Sequence, residues 1–89
     1  MSSIIGKFFR HYKGNYYYVK NISLHSETLE ELVNYHSLYS TDKYPFGQLW
    51  SRPLKMWNEL VDNTPRFTEV NSKDVPHDIY KKTIELLNR

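Results

Sequence analysis

Eighty-nine residues, 39% of them hydrophobic and 16% aromatic, are enough for one domain and too rich in rings for a disordered chain. There is no cysteine, which excludes disulfides, thiolate metal sites and a cysteine nucleophile. The formal charge of +2 is only mildly basic and singles out no nucleic-acid partner by itself. The opening "MSSIIGKFFRHYKG" is broken by Lys7 and Arg10, so it does not read as a signal peptide, and no apolar run approaches a membrane span. The expectation is a cytoplasmic domain covering 1–89, without membrane contact.

The first segment, "IIGKFFRHYKGNYYYVKNISL", is dense in aromatic and β-branched residues, which suit a pleated, half-buried surface. Turn chemistry at Lys13, Gly14 and Asn15 divides it into two strands of a hairpin, residues 7–12 and 16–24. Tyr17 and Val19 share a face, whereas Ile22 has the opposite parity. A bulge at Lys20-Asn21 would return Ile22 to the core side.

"HSETLEELVNYHSLY", from His25 to Tyr39, admits two readings. As a helix it has a capping box, with Thr28 as N-cap and Glu31 three residues on, then Leu29, Leu32 and Val33 at helical spacing. As a turn plus strand it puts Val33, Tyr35 and Tyr39 on one face and Leu32, Asn34, His36 and Leu38 on the other. Periodicity alone does not separate the two.

Pro45 and Gly47 mark the next turn, and Trp50, Arg52 and Leu54 alternate on one face of a strand. Pro53 cannot donate a ladder hydrogen bond, so this strand lies at an edge or ends there. A turn at 62–65 leads to a last short strand around 66–70. The period then changes. "SKDVPHDIYKKTIELLNR" places Ile79, Thr83, Leu86 and Leu87 on one side of a helix from about 75 to 87, with Asp74 as its expected N-cap and Pro76 in its first turn.

Several blocks, taken in order, resemble a small bacterial family catalogued as domain of unknown function 1653. They are Gly6, "RHYKGN" at 10–15, "HSETLE" at 25–30, Val33 with Tyr35, "WSRPL" at 50–54 with Met56, and "PRF" at 65–67. The resemblance covers about residues 6–70. Trp57 stands where the family has phenylalanine and Leu24 where it has a basic residue. The helix after Val70 is an extension. The resemblance implies a mainly β fold, a small SH3-like β-barrel at 4–70, with the C-terminal α-helix at 74–88 added to it. It favours turn plus strand for 25–39 and implies no reaction.

The chemistry on offer is limited. His11, His25, His36 and His77 show no paired ligand spacing, so no metal or other cofactor is expected. His25, Ser26 and Glu27 have the residue types of a hydrolytic triad, but neighbours on an extended segment point to opposite faces and cannot form that chain among themselves. "KGNYYYV" departs from the RNP1 strand of RNA-binding domains at Asn15 and Tyr16. Arg52 is the charged residue of most interest. On an inward face its guanidinium needs a carboxylate, with Glu27, Glu30 or Glu59 as candidates, or a bound anion.

The expected function is a non-enzymatic binding module. Its favoured ligand is a nucleotide or nucleic-acid phosphate, taken by Arg10, His11, Tyr12, His25 and Arg52, with tyrosines or Trp50 for the base, Tyr12 or Tyr35 as flat apolar wall and Glu27 orienting Arg52. A peptide laid in an aromatic groove is the alternative, and a small hydrolase the second alternative. The C-terminal helix is considered as a docking element for a protein partner.

Overall fold

The computed structural model describes residues 3–89. Strands β1 (Phe8–His11) and β2 (Tyr16–Leu24) form the first hairpin, and Gly14 turns it with φ +108°, a backbone conformation that glycine adopts without strain. β3 (Glu31–Ser37) pairs antiparallel with β2, and β4 (Leu49–Pro53) with β3. A one-turn helix, α1 (Leu54–Trp57), follows at once. β5 (Leu60–Val61) and β6 (Thr64–Pro65) make a small separate hairpin whose central residues, Asp62 and Asn63, both have positive φ. β7 (Phe67–Val70) returns beside β1, giving the order β4-β3-β2-β1-β7. A 3-10 turn at Ser72–Asp74 leads into α2 (His77–Leu87).

The segment 25–39 is therefore a turn and a strand. The turn closes through the His25 N–H on the Glu30 carbonyl, and the Thr28 hydroxyl accepts the Glu30 N–H. The capping-box residues thus make a local turn in place of a helix start. The register of β2 against β3 shifts between Val19 and Asn21, so Lys20 is the bulged residue. Ile22 then pairs with Val33 and joins the face of Val19 and Tyr35, half-buried at its margin.

Both faces of the sheet are covered. Because side chains alternate along a strand, neighbours Phe8 and Phe9 are buried on opposite sides. Phe9, Val19, Val33, Tyr35, Trp57 and Phe67 form one core, with Tyr17, Trp50 and Leu54 packed on it. Phe8, Leu38 and Val75 form the other, with Tyr18, Phe46 and Ile79 around them. α2 supplies Ile79 and the fully buried Thr83 to this second side, and its Tyr80 ring stands 5.9 Å from that of Phe8. Ile79 and Thr83 of the expected apolar stripe thus face its own sheet, whereas Leu87 stays exposed.

Two expectations need correction. The sheet does not close into a barrel: β4 and β7 are its edges and are not hydrogen-bonded to each other. Pro53 ends β4, and the next residues leave as α1, which drives Trp57 into the gap and stacks it on Phe67 at 3.8 Å and 7°. Nor does Asp74 cap the helix. Val75, which precedes a proline, is held extended at ψ 133°, so the helix cannot begin until Pro76 has passed; Pro76 takes the cap position without a side-chain bond.

Candidate functional site

The curl of the sheet brings its two edges together around one guanidinium. Arg52 pairs with Val33 in the ladder, on the inward face, and its Cζ lies 5.7 Å from the centre of the Phe67 ring. The residue is half-buried and its Nε is enclosed without any hydrogen-bond partner. None of the three carboxylates that could have paired with it does so. Glu30 holds Lys55 at 3.7 Å, Glu59 holds Arg66 at 3.8 Å, and Glu27 is exposed in the β2–β3 turn.

His11 ends β1 opposite Phe67, with the two rings 5.2 Å apart and edge to face. Its Nδ1 accepts the Lys13 N–H at 3.2 Å, which leaves the ring proton on Nε2. Burial lowers the His11 pKa, and the positive charges of Arg66, Lys13 and Arg52 lower it further. Tyr17, also on this face, shares a hydroxyl hydrogen bond with Tyr39 at 2.9 Å. Burial raises the Tyr17 pKa well above the ordinary phenol value, the Tyr39 bond adds to the rise, and the charge of Arg52 opposes it. Arg66 carries a second enclosed Nε without a partner. Arg52, Arg66, Lys13, His11 and the tyrosine pair therefore make a neighbourhood of N–H and O–H donors in which, among the described residues, the only carboxylate pairing is that of Glu59 with Arg66.

The other expected site residues lie elsewhere. His25 Nδ1 accepts the N–H groups of Glu27 and Thr28 at 3.1 and 3.3 Å, so its ring holds the turn. His25 and Glu27 come after the end of β2, a strand separated from β4 by β3, and no hydrogen bond or ion pair joins them to Arg52. Tyr35 is buried core. Trp50 is anchored by donation from its Nε1 to the Ser37 hydroxyl at 3.2 Å and packs edge-on to Tyr44. Arg10, His11 and Tyr12 do stand together, around a cavity of about 320 Å³ that Thr64, Pro65 and Thr68 also line. A larger one, about 400 Å³, lies among Ser72, Lys73, Val75, His77 and Tyr80 on the α2 side. Among the described residues no group of three or more His, Asp or Glu could hold a metal ion, and no helix is long and apolar enough to cross a membrane.

Sequence reasoning misses four members of the neighbourhood: Lys13 reads only as turn chemistry, Tyr17 only as core, Arg66 only as the middle of "PRF", and Tyr39 only as the end of the Val33-Tyr35 parity.

A curled five-stranded antiparallel sheet, helix-covered on one face and cationic and aromatic at its gap, defines a small mainly β domain. Residues 7–69 match the family described as protein of unknown function (DUF1653), and the chain belongs to that family. A crystal structure of a member from Bordetella bronchiseptica is similar, at 36% identity and a TM-score of 0.64, over 74% of this chain and 86% of that one. No curated protein matches the chain. Helix α2 lies beyond the matched residues.

Proposed function

We propose that this domain is a non-enzymatic binding module whose ligand presents a phosphate group, of a nucleotide or a nucleic acid, to Arg52. One observation carries the reading: a half-buried guanidinium has no carboxylate and its Nε no acceptor. Enclosing a charge without a partner is costly, and an oxyanion would supply both countercharge and acceptor lone pairs. Arg66, with its own unpaired Nε, and His11 Nε2 would share the anion, while Phe67 supports the flat of the guanidinium. His25 and Glu27 fall outside this seat. The curl itself is in keeping with an SH3-like barrel left open between β4 and β7, and the lack of cysteine with a cytoplasmic setting.

A second reading draws on the outer edge of β4, which no strand covers, so an extended peptide could add there. Hydrolysis draws no support from His25-Ser26-Glu27, because the His25 ring is committed to backbone N–H groups.

Titration with a single-stranded oligonucleotide at rising salt separates the two ligand classes. Phosphate binding weakens steeply with salt. It should also fall about tenfold or more in Arg52→Lys, which keeps the charge but loses the planar fork. Binding that neither salt nor this substitution changes overturns the phosphate reading.

A further inference from the structure

Helix α2 carries a second apolar line besides the one turned to the sheet. Ile79 and Thr83 face the sheet, but Tyr80, Ile84 and Leu87 keep 36%, 39% and 40% of their surface exposed. At about 100° per residue these three fall within about 60° of one another, as one stripe along the helix. At the N-terminal end of α2 the stripe runs into the cavity of about 400 Å³ among Ser72, Lys73, Val75, His77 and Tyr80. His77 precedes Tyr80 by three residues and Ile84 by seven, so the cavity opens on the side of the stripe. Apolar residues exposed singly are ordinary. Three in line, leading to a cavity, form a surface.

That surface is its own complement. Leu87 projects at one end and the cavity lies at the other. A second copy laid antiparallel therefore seats each Leu87 at the other copy's cavity, and one twofold axis satisfies both contacts at once. The flanking charges agree with this direction. Lys81 and Glu85 are exposed and one turn apart, and among the described residues neither enters an ion pair; those present join Lys7 to Glu69, Lys55 to Glu30 and Arg66 to Glu59. In an antiparallel pair centred on residues 82 and 83, each Lys81 lies beside the partner's Glu85. Parallel pairing would set like charge beside like. Lys73 and His77, at the cavity, also come near the C-terminal carbonyls of the partner helix, the negative end of its dipole. Helix α2 has no basic residue in its own last turn.

We propose that two copies of this chain form a twofold-symmetric dimer by packing their α2 helices antiparallel through Tyr80, Ile84 and Leu87, with each Leu87 seated at the partner's cavity. Three side chains and a cavity on an 11-residue helix make an interface below about 1,200 Å² in total, the size of weak and transient contacts. The dimer therefore forms at high protein concentration and is monomeric when dilute. Arg52 lies with Val33 and Phe67 on the opposite side of the sheet, so the anion seat stays open in both states.

The test is sedimentation equilibrium of the full chain up to about 1 mM protein, a Kd in the micromolar to millimolar range being expected of so small an interface. Mass should rise from monomer toward dimer. Ile84→Glu should hold the chain monomeric throughout, and Leu87→Glu repeats the substitution at the helix end; circular dichroism checks that each variant is folded. Charge reversal then tests the direction. Lys81→Glu and Glu85→Lys should each weaken self-association about fivefold or more, because symmetry doubles an exposed pair and reversal turns attraction into repulsion. An equimolar mixture of these two variants should regain the parent's affinity, since one chain then offers two acids where the other offers two bases. Three results overturn the proposal: a monomer at the highest concentration, a dimer that survives both glutamate substitutions on the stripe, or a mixture that associates no better than its components.

Discussion

Arg52 and Phe67 lie on the two edge strands at opposite ends of the strand order, yet the guanidinium carbon is only 5.7 Å from the centre of the phenyl ring. No ladder bonds connect these edges, so side chains hold the curl. Phe67 is central to it, with Trp57 stacked on one face and with Phe67 also meeting His11, Tyr17 and Tyr35. Phe67→Ala should therefore cost about 3–5 kcal/mol, as large-to-small changes in a packed aromatic core do. Denaturant unfolding measures this. A loss below about 1 kcal/mol would mean that the edges are held some other way.

The C-terminal helix should be integral to stability. Val75 and Ile79 cover Phe8 and Leu38, so deleting residues 74–89 bares that face and should lower the unfolding midpoint clearly. Gly47 probes the contact more finely. It has φ +88°, and a Cβ built there would meet the Leu86 Cδ atoms at 2.8 Å. Those methyls end a flexible side chain, so the backbone term should dominate: Gly47→Ala should cost about 1–2 kcal/mol from its left-handed φ. Most of that cost should persist in a Leu86→Ala background. If it vanishes there, the clash and not the φ was the cause.

Much of this architecture can be read from residue order, and the limits have physical causes. The Lys20 bulge follows from the parity of Val19 and Ile22. The edge position of β4 follows from a proline that cannot donate. Between helix and strand for 31–37 local pattern is silent, because Leu29, Leu32 and Val33 satisfy one period and Val33 with Tyr35 the other; the family resemblance decided it. The curl is a different matter. It depends on Trp57 and Phe67, distant in the ladder, meeting across the gap, and no local pattern encodes that meeting. The site inherits the difficulty. Arg52 was legible as a charge on an apolar face, but the choice of its neighbours fell to the curl, which brought His11 and Tyr17 near and left His25 in a turn of its own.

Protonation of His11 should be linked to stability with a definite sign. Its folded-state pKa lies below the ordinary 6.5, chiefly through burial and then through Arg66, Lys13 and Arg52. Between the two values the unfolded chain binds more protons than the folded one, so this residue makes stability rise with pH across that window. Its penalty is complete below the folded pKa and absent well above 6.5. Unfolding curves from pH 5 to 8 should show a shallower slope in His11→Asn than in the parent. A bound anion reverses the sign at this site: sulfate, which does not titrate in the range, should bind more tightly as the pH falls and the imidazole gains its charge. Equal sulfate affinity at pH 5 and pH 8 would count against His11 as part of the seat.

Arg52→Met should uncouple stability from binding. Methionine keeps an unbranched apolar stem against Phe67 and Val33 and removes a charge that no protein group neutralises. Breaking a buried ion pair costs about 3–5 kcal/mol, whereas replacing buried charge with well-packed apolar volume is neutral or stabilising by about 1–4 kcal/mol. Since no pair exists to be broken, the second regime applies, and the midpoint of urea unfolding should hold or rise. Phosphate binding should disappear in the same protein. That combination is expected of a charge kept for a ligand at some expense to the fold, because residues retained for function often sit where they destabilise. A clear loss of stability in Arg52→Met would assign the guanidinium to the scaffold through its contact with Phe67, and the anion would then have to be sought elsewhere.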